Sequence, residues 1–84
     1  MRNENLEKAI LKNLQRVEVG LKQKSLICAA EIEMDRYDLT TAEYEDMLIS
    51  LEDRGLAEKF TAIDGDKAWR ITDKGRAVLK GKIA

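Results

Sequence analysis

The chain of 84 residues contains no histidine. That excludes a histidine base, a catalytic triad built on one, and a zinc site with histidine ligands. Cys28 is the single cysteine, so no internal disulfide forms and no structural zinc site can be built from thiolates. One thiol and no bridge in so small a domain suits a reducing cytoplasm. The only serines are Ser25 and Ser50, and neither has a base at a recognisable spacing. No two of the glycines at 20, 55, 65, 75 and 81 are spaced as a dinucleotide fingerprint or a phosphate loop requires. No apolar run reaches the ~18 residues of a membrane span. Residues 1–14 read as a charged amphipathic stretch and not as a secretion signal. These absences leave no catalytic residue, cofactor, metal or small-molecule substrate to expect. The chain is not expected to be an enzyme.

What is present is enough for one domain over residues 1–84. Hydrophobic residues make up 44% and charged residues 37%, so the chain can bury a core and is not disordered. Leu6, Ile10, Leu14 and Val17 draw one apolar stripe and predict a helix over 5–19. Asn3 or Asn5 is its expected cap and Gly20 its expected stop. The run Leu26-Ile27-Cys28-Ala29-Ala30 fits either a short helix to Met34, capped by Ser25, or a buried strand. Two alanines and Met34 favour the helix. The third element has clear ends. Thr40 caps it, Glu43 stands at the capping-box position, and Gly55 followed by Leu56 closes it. Its apolar face is Tyr44, Met47, Leu48 and Leu51.

A hairpin follows, with strands expected over 57–62 and 67–71. Asp64-Gly65 suits a two-residue type I′ turn. That turn would set Phe60 opposite Trp69 on the inner face and Lys59 opposite Arg70 on the outer face. Thr72 then caps a last helix over 73–80, anchored by Val78 and Leu79 and stopped by Gly81. The order of three helices, a hairpin wing and a short C-terminal helix is the winged helix-turn-helix plan. The fold class is α+β, mostly α.

Two stretches carry a resemblance to winged-helix proteins. Residues 48–56, Leu-Ile-Ser-Leu-Glu-Asp-Arg-Gly-Leu, resemble the end of a recognition helix and the start of a wing. Residues 69–76, Trp-Arg-Ile-Thr-Asp-Lys-Gly-Arg, resemble the joint that closes such domains. A narrower resemblance is to the YjcQ family of small bacterial and prophage proteins. It is carried by residues 5–12, by Leu39-Thr40-Thr41-Ala42-Glu43-Tyr44 and by Ile71-Thr72-Asp73-Lys74-Gly75. Residues 21–38 show no motif of that family. The resemblance implies a fold and a prophage setting, not an activity.

Charge is unevenly spread. Residues 1–24 hold six basic and three acidic groups, a net +3. Residues 25–58 hold two basic and ten acidic groups, a net −8. Residues 59–84 hold seven basic and three acidic groups, a net +4. Phosphate neutralisation dominates binding to DNA. The third helix, with Glu43, Glu45, Asp46, Glu52 and Asp53 against Arg54, is therefore ill suited to the major groove. The winged-helix analogy points to duplex DNA, held through Lys59, Lys67, Arg70, Lys74 and Arg76, with Lys80 and Lys82 extending the patch. The competing reading is a protein-interaction module. There Glu45, Ile49, Glu52 and Asp53 would dock a basic partner or a second copy, with no DNA involved. Among single residues, Trp69 is expected in the core, Cys28 as a buried thiol, and Asp64 and Asp66 as turn formers. Tyr37 fits an exposed contact or a packing staple equally well.

Overall fold

The computed structural model describes residues 4–81. Its elements are α1 (Glu4–Arg16), β1 (Leu21–Lys22), α2 (Gln23–Met34), α3 (Thr41–Asp53), β2 (Ala57–Thr61), β3 (Lys67–Ile71) and α4 (Asp73–Leu79). The strands form one antiparallel sheet in the order β1-β3-β2. Four helices on a small sheet make this an α+β, mostly α, winged-helix fold.

The core is the set of apolar faces that periodicity marks out. Leu6, Ile10, Leu11 and Leu14 of α1 pack with Leu26 and Ala30 of α2, Leu48 and Leu51 of α3, and Trp69 and Ile71 of β3. Full burial of each large apolar side chain contributes roughly 1.5–3 kcal/mol. Val78 and Leu79 of α4 pack against this cluster partly buried.

The ends of α3 follow from local chemistry. Thr40 Oγ1 accepts from the Glu43 amide at 3.2 Å. At the other end the Gly55 amide donates to Glu52 and the Leu56 amide to Leu51, with Gly55 at φ +75°. This is the Schellman pattern, and both Leu51 and Leu56 are buried in the core. The α4 cap forms the same way, with the Gly75 amide donating to Thr72 Oγ1 at 3.0 Å. Thr72 also donates from Oγ1 to the Gly55 carbonyl at 2.6 Å, which ties the two helix ends together. A Cβ on Gly75 would lie 2.2 Å from the Leu56 carbonyl oxygen. Only glycine lets α4 sit so close to the chain leaving α3.

Several expectations are corrected. α1 stops at Arg16, three residues early, and Val17 to Gly20 form a turn closed by Gly20 N–H to Val17 O. Asn5 lies inside α1, and the alternative cap Asn3 lies outside the described residues, as does Lys82. The ambiguous second run is helical, but it starts at Gln23 and Ser25 is not its cap. Lys22 holds that position and offers no side-chain cap. Cys28 is exposed, because α2 buries Leu26 and Ala30 and turns residue 28 outward. Tyr37 is exposed and not a staple. β1 was not anticipated, since two residues carry no period.

The hairpin register is also corrected by one residue. Ala62 N–H donates to Asp66 O, enclosing a three-residue loop of Ile63, Asp64 and Gly65. Among the described residues of this loop only Gly65 has positive φ, at +89°. That is a type I turn followed by a left-handed glycine, not a type I′ turn. Lys59 therefore opposes Trp69, Phe60 opposes Ala68, and Glu58 opposes Arg70. Directly opposed residues share a face. Phe60 is thus on the outer face and does not pair with Trp69. Lys59 and Arg70 lie on opposite faces.

Candidate nucleic-acid interface

α3 takes the recognition-helix position of the helix-turn-helix. Its core side is Tyr44, Met47, Leu48 and Leu51, all buried. Ile49, Asp46, Glu52 and Asp53 are exposed, with Ile49 at 52%. Glu45 is half-buried and accepts from Gln23 Nε2 at 3.3 Å. Gln23 in turn accepts the Trp69 indole N–H at 3.0 Å. This relay links the wing, the start of α2 and α3 through one side chain. Glu43, Asp46, Glu52 and Asp53 have no basic partner within 4.0 Å among the described residues. Arg54, just beyond α3, turns away from them. Its Nη2 lies 2.5 Å from Glu7 Oε1 of α1, approaching off the N–H direction, so the contact is an ion pair and not an aligned hydrogen bond.

The wing is different. Arg70 is ion-paired with Glu58 across the strands and its guanidinium lies 5.0 Å from the Phe60 ring centre. Arg76 reaches Asp73 at 3.4 Å. Two of the five expected DNA contacts are therefore engaged with carboxylates. Lys59, Lys67 and Lys74 are exposed and have no acidic partner among the described residues. They are not gathered on one patch, since Lys59 and Lys67 belong to the sheet and Lys74 to α4.

The structure adds residues that sequence reasoning passed over. Lys22, Gln23, Lys24 and Ser25 join Asp66 and Lys67 around a hollow of about 380 Å³. Lys22 bridges to Asp64 and, at 3.6 Å, to Asp66. The paired ammonium holds the Asp64 carboxyl below its usual range, chiefly through that hydrogen bond. Among the described residues Lys24 and Lys67 have no carboxylate partner within 4.0 Å. The first turn of α2, with no side-chain cap, opens into the same hollow. A helix N-terminus without a side-chain cap and nearby lysines both favour an anion, and Asp66 in the same lining opposes one. One signal was available. Lysines at the positive end of a helix are electrostatically unfavourable. Starting α2 at residue 26 hid that conflict by leaving Lys22 and Lys24 in a loop.

Among the described residues no cluster of three potential metal ligands occurs. No helix among them is long and apolar enough to cross a membrane.

No family model and no curated protein matches the chain. Solved structures do. The PcaV transcriptional regulator of Streptomyces coelicolor, in complex with its natural ligand, superposes with a TM-score of 0.74 at 24% identity, over 88% of this chain and 48% of the regulator. A MarR-family transcriptional regulator of Silicibacter pomeroyi gives 0.76 at 19% identity, over 93% and 48%. A variant of MepR from S. aureus, bound to an oligodeoxyribonucleotide, gives 0.71 at 18% identity, over 93% and 54%. The chain spans about half the length of these regulators. At such identities the likeness shows the winged-helix fold.

Proposed function

We propose that the chain is a DNA-binding regulatory module, not an enzyme, and that it is of prophage origin, as its resemblance to the YjcQ family implies. The observation that carries this reading is the lysine hollow beside the tip of the wing, set in a winged-helix frame. Lys24 and Lys67 line one hollow together with the start of α2, which has no side-chain cap, so two cations and a helix N-terminus border the same space. Lys59 and Lys74 supply further backbone contacts. Arg70 and Arg76 contribute less, because each must first leave a carboxylate. The exposed carboxylates of α3 keep that helix from inserting deeply among phosphates. Contact runs through the wing and the start of α2, and the module acts in the cytoplasm.

The test is binding to nonspecific duplex DNA at two salt concentrations. Binding that weakens as salt rises, with a slope matching two to four phosphates (about 0.9 per contact), supports the reading. Absence of binding at low salt defeats it.

One observation favours a second reading. Among the described residues none of the five α3 carboxylates has a basic partner within 4.0 Å, while Glu7, Glu33, Asp38, Glu58, Asp64, Asp66 and Asp73 each have one. With the half-exposed Ile49, that face suits a cationic protein partner or a basic surface of a second copy. Glu45, Ile49, Glu52 and Asp53 would carry it.

A further inference from the structure

The tip of the wing is apolar. Ile63 is the first residue of the three-residue hairpin loop and is completely exposed. It does not stand alone: the exposed Val19 and the half-buried Phe60 line one groove with it, so Ile63 is part of a contiguous exposed apolar patch of the kind that marks an interaction site. Its support is stiff. The Asp66 amide donates to Asp64 Oδ1 at 3.2 Å, closing the loop from inside. Lys22 of β1 grips both Asp64 and Asp66, fastening the tip to the opposite edge strand. The same grip offsets the two carboxylates nearest the tip. Ile63 thus projects from a pinned loop in which one lysine offsets half of the charge of two carboxylates.

Two surfaces meet at Lys22. On one side is the lysine hollow. On the other is an apolar groove of about 520 Å³, lined by Val19, Leu21, Phe60, Ile63 and Ala68 among others. An occupant of both must alternate anions with apolar faces over a few ångströms. Nucleic acid does so, with phosphates outside and base faces within. Apolar side chains inserted between base steps kink duplexes by about 20–90°.

We propose that Ile63 is an apolar wedge that enters the minor groove of duplex DNA, unstacks a base step and bends the helix, while the lysine hollow holds a neighbouring phosphate. The inference rests on the DNA-binding reading above. Val19 and Phe60 flank the wedge and shield the opened step from water. Flexible pyrimidine–purine steps are the easiest to open, so a duplex rich in TA steps is the preferred substrate.

The experiment uses the full chain and an end-labelled duplex of about 30 base pairs carrying TA steps, with bending read by energy transfer between its ends. Wild type should bring the ends together. Ile63→Ser should bind about tenfold more weakly, as expected for losing one buried aliphatic contact. It should leave the duplex straight and keep the wild-type salt slope, because no phosphate contact is lost. Ile63→Leu should still bend it. Ile63 is fully exposed, so neither change threatens the fold. A duplex that stays straight with wild type bound overturns the wedge and leaves the DNA reading standing. So does an Ile63→Ser variant that bends as wild type does. No binding by wild type at low salt overturns the DNA reading itself.

Discussion

α3 and the wing are both charged and both exposed, yet they are electrostatic opposites. Among the described residues the carboxylates of α3 have no basic partner within 4.0 Å, while Glu58 on the wing pairs with Arg70 and Asp64 and Asp66 share Lys22. Counting charges along the sequence makes the helix negative and the wing positive. In space Arg70 is taken up by Glu58 and Lys22 by Asp64 and Asp66, so among the described residues the cations without a carboxylate partner here are Lys59 and Lys67 of the wing and Lys24 of α2. The lesson is that a charged residue counts toward binding only after its own partners are subtracted. Surface ion pairs contribute little to stability, typically ~0–1 kcal/mol. They still decide which cations are available to a phosphate.

The comparison can be broken at the level of the fold first. Leu51 is fully buried on the core side of α3 and Ile49 is half-exposed on the other. Leu51→Ala should cost on the order of 2–5 kcal/mol in chemical denaturation. Ile49→Ala should stay within about 0.5 kcal/mol. Equal costs would mean that the two faces of α3 are wrongly assigned.

Gly75→Ala comes next. The added Cβ meets the Leu56 carbonyl, a backbone atom that cannot swing aside. A loss of about 1–3 kcal/mol is expected, through overpacking between α4 and the base of the wing. A midpoint unchanged from wild type would show that α4 has room to move.

Tyr44→Phe sharpens the account of α3's inner face. The Tyr44 hydroxyl is buried with no protein partner among the described residues, and burial raises its pKa. Removing an unsatisfied hydroxyl should be neutral or stabilising by up to about 1 kcal/mol. A clear loss of stability would reveal a hydrogen bond through water.

The smallest effect concerns the wing clamp. Asp64 is depressed and Lys22 raised by their contact. A depressed carboxyl stabilises the fold above its unfolded value of 3.8 and loses that contribution as pH falls through its folded value. A raised amine does so below 10.5 and loses it as pH rises through its folded value. The clamp should therefore hold across the neutral range and open only at the extremes. Carboxyl titration followed by NMR should give Asp64 a midpoint below that in Lys22→Ala. Identical midpoints would remove the clamp.

How much of this was legible in the sequence depended on how local the cause is. Thr40, Gly55 and Thr72 cap or end helices through bonds to residues within five positions, and those ends were read correctly. The apolar face of α3 was equally clear from its period. The hairpin register was not. Asp64-Gly65 serves a two-residue loop and a three-residue loop alike, and the choice moved Phe60 outward and separated Lys59 from Arg70. β1 and the lysine hollow were invisible for a different reason. Both join residues 21–25 to residues 66–69, more than forty positions away. No periodicity records such a meeting.

The central claim is that DNA is held through the wing and the start of α2 and not through α3. Its most direct test is the slope of log affinity against log salt for two double variants on the same duplex. Lys24→Ala with Lys67→Ala should weaken binding and flatten the slope by about one unit per lost contact. Glu52→Gln with Asp53→Asn should leave the slope unchanged and bind as tightly or more so, through reduced long-range repulsion. If the lysine pair is silent and the α3 pair changes sequence preference instead, α3 reads the DNA and the account is wrong.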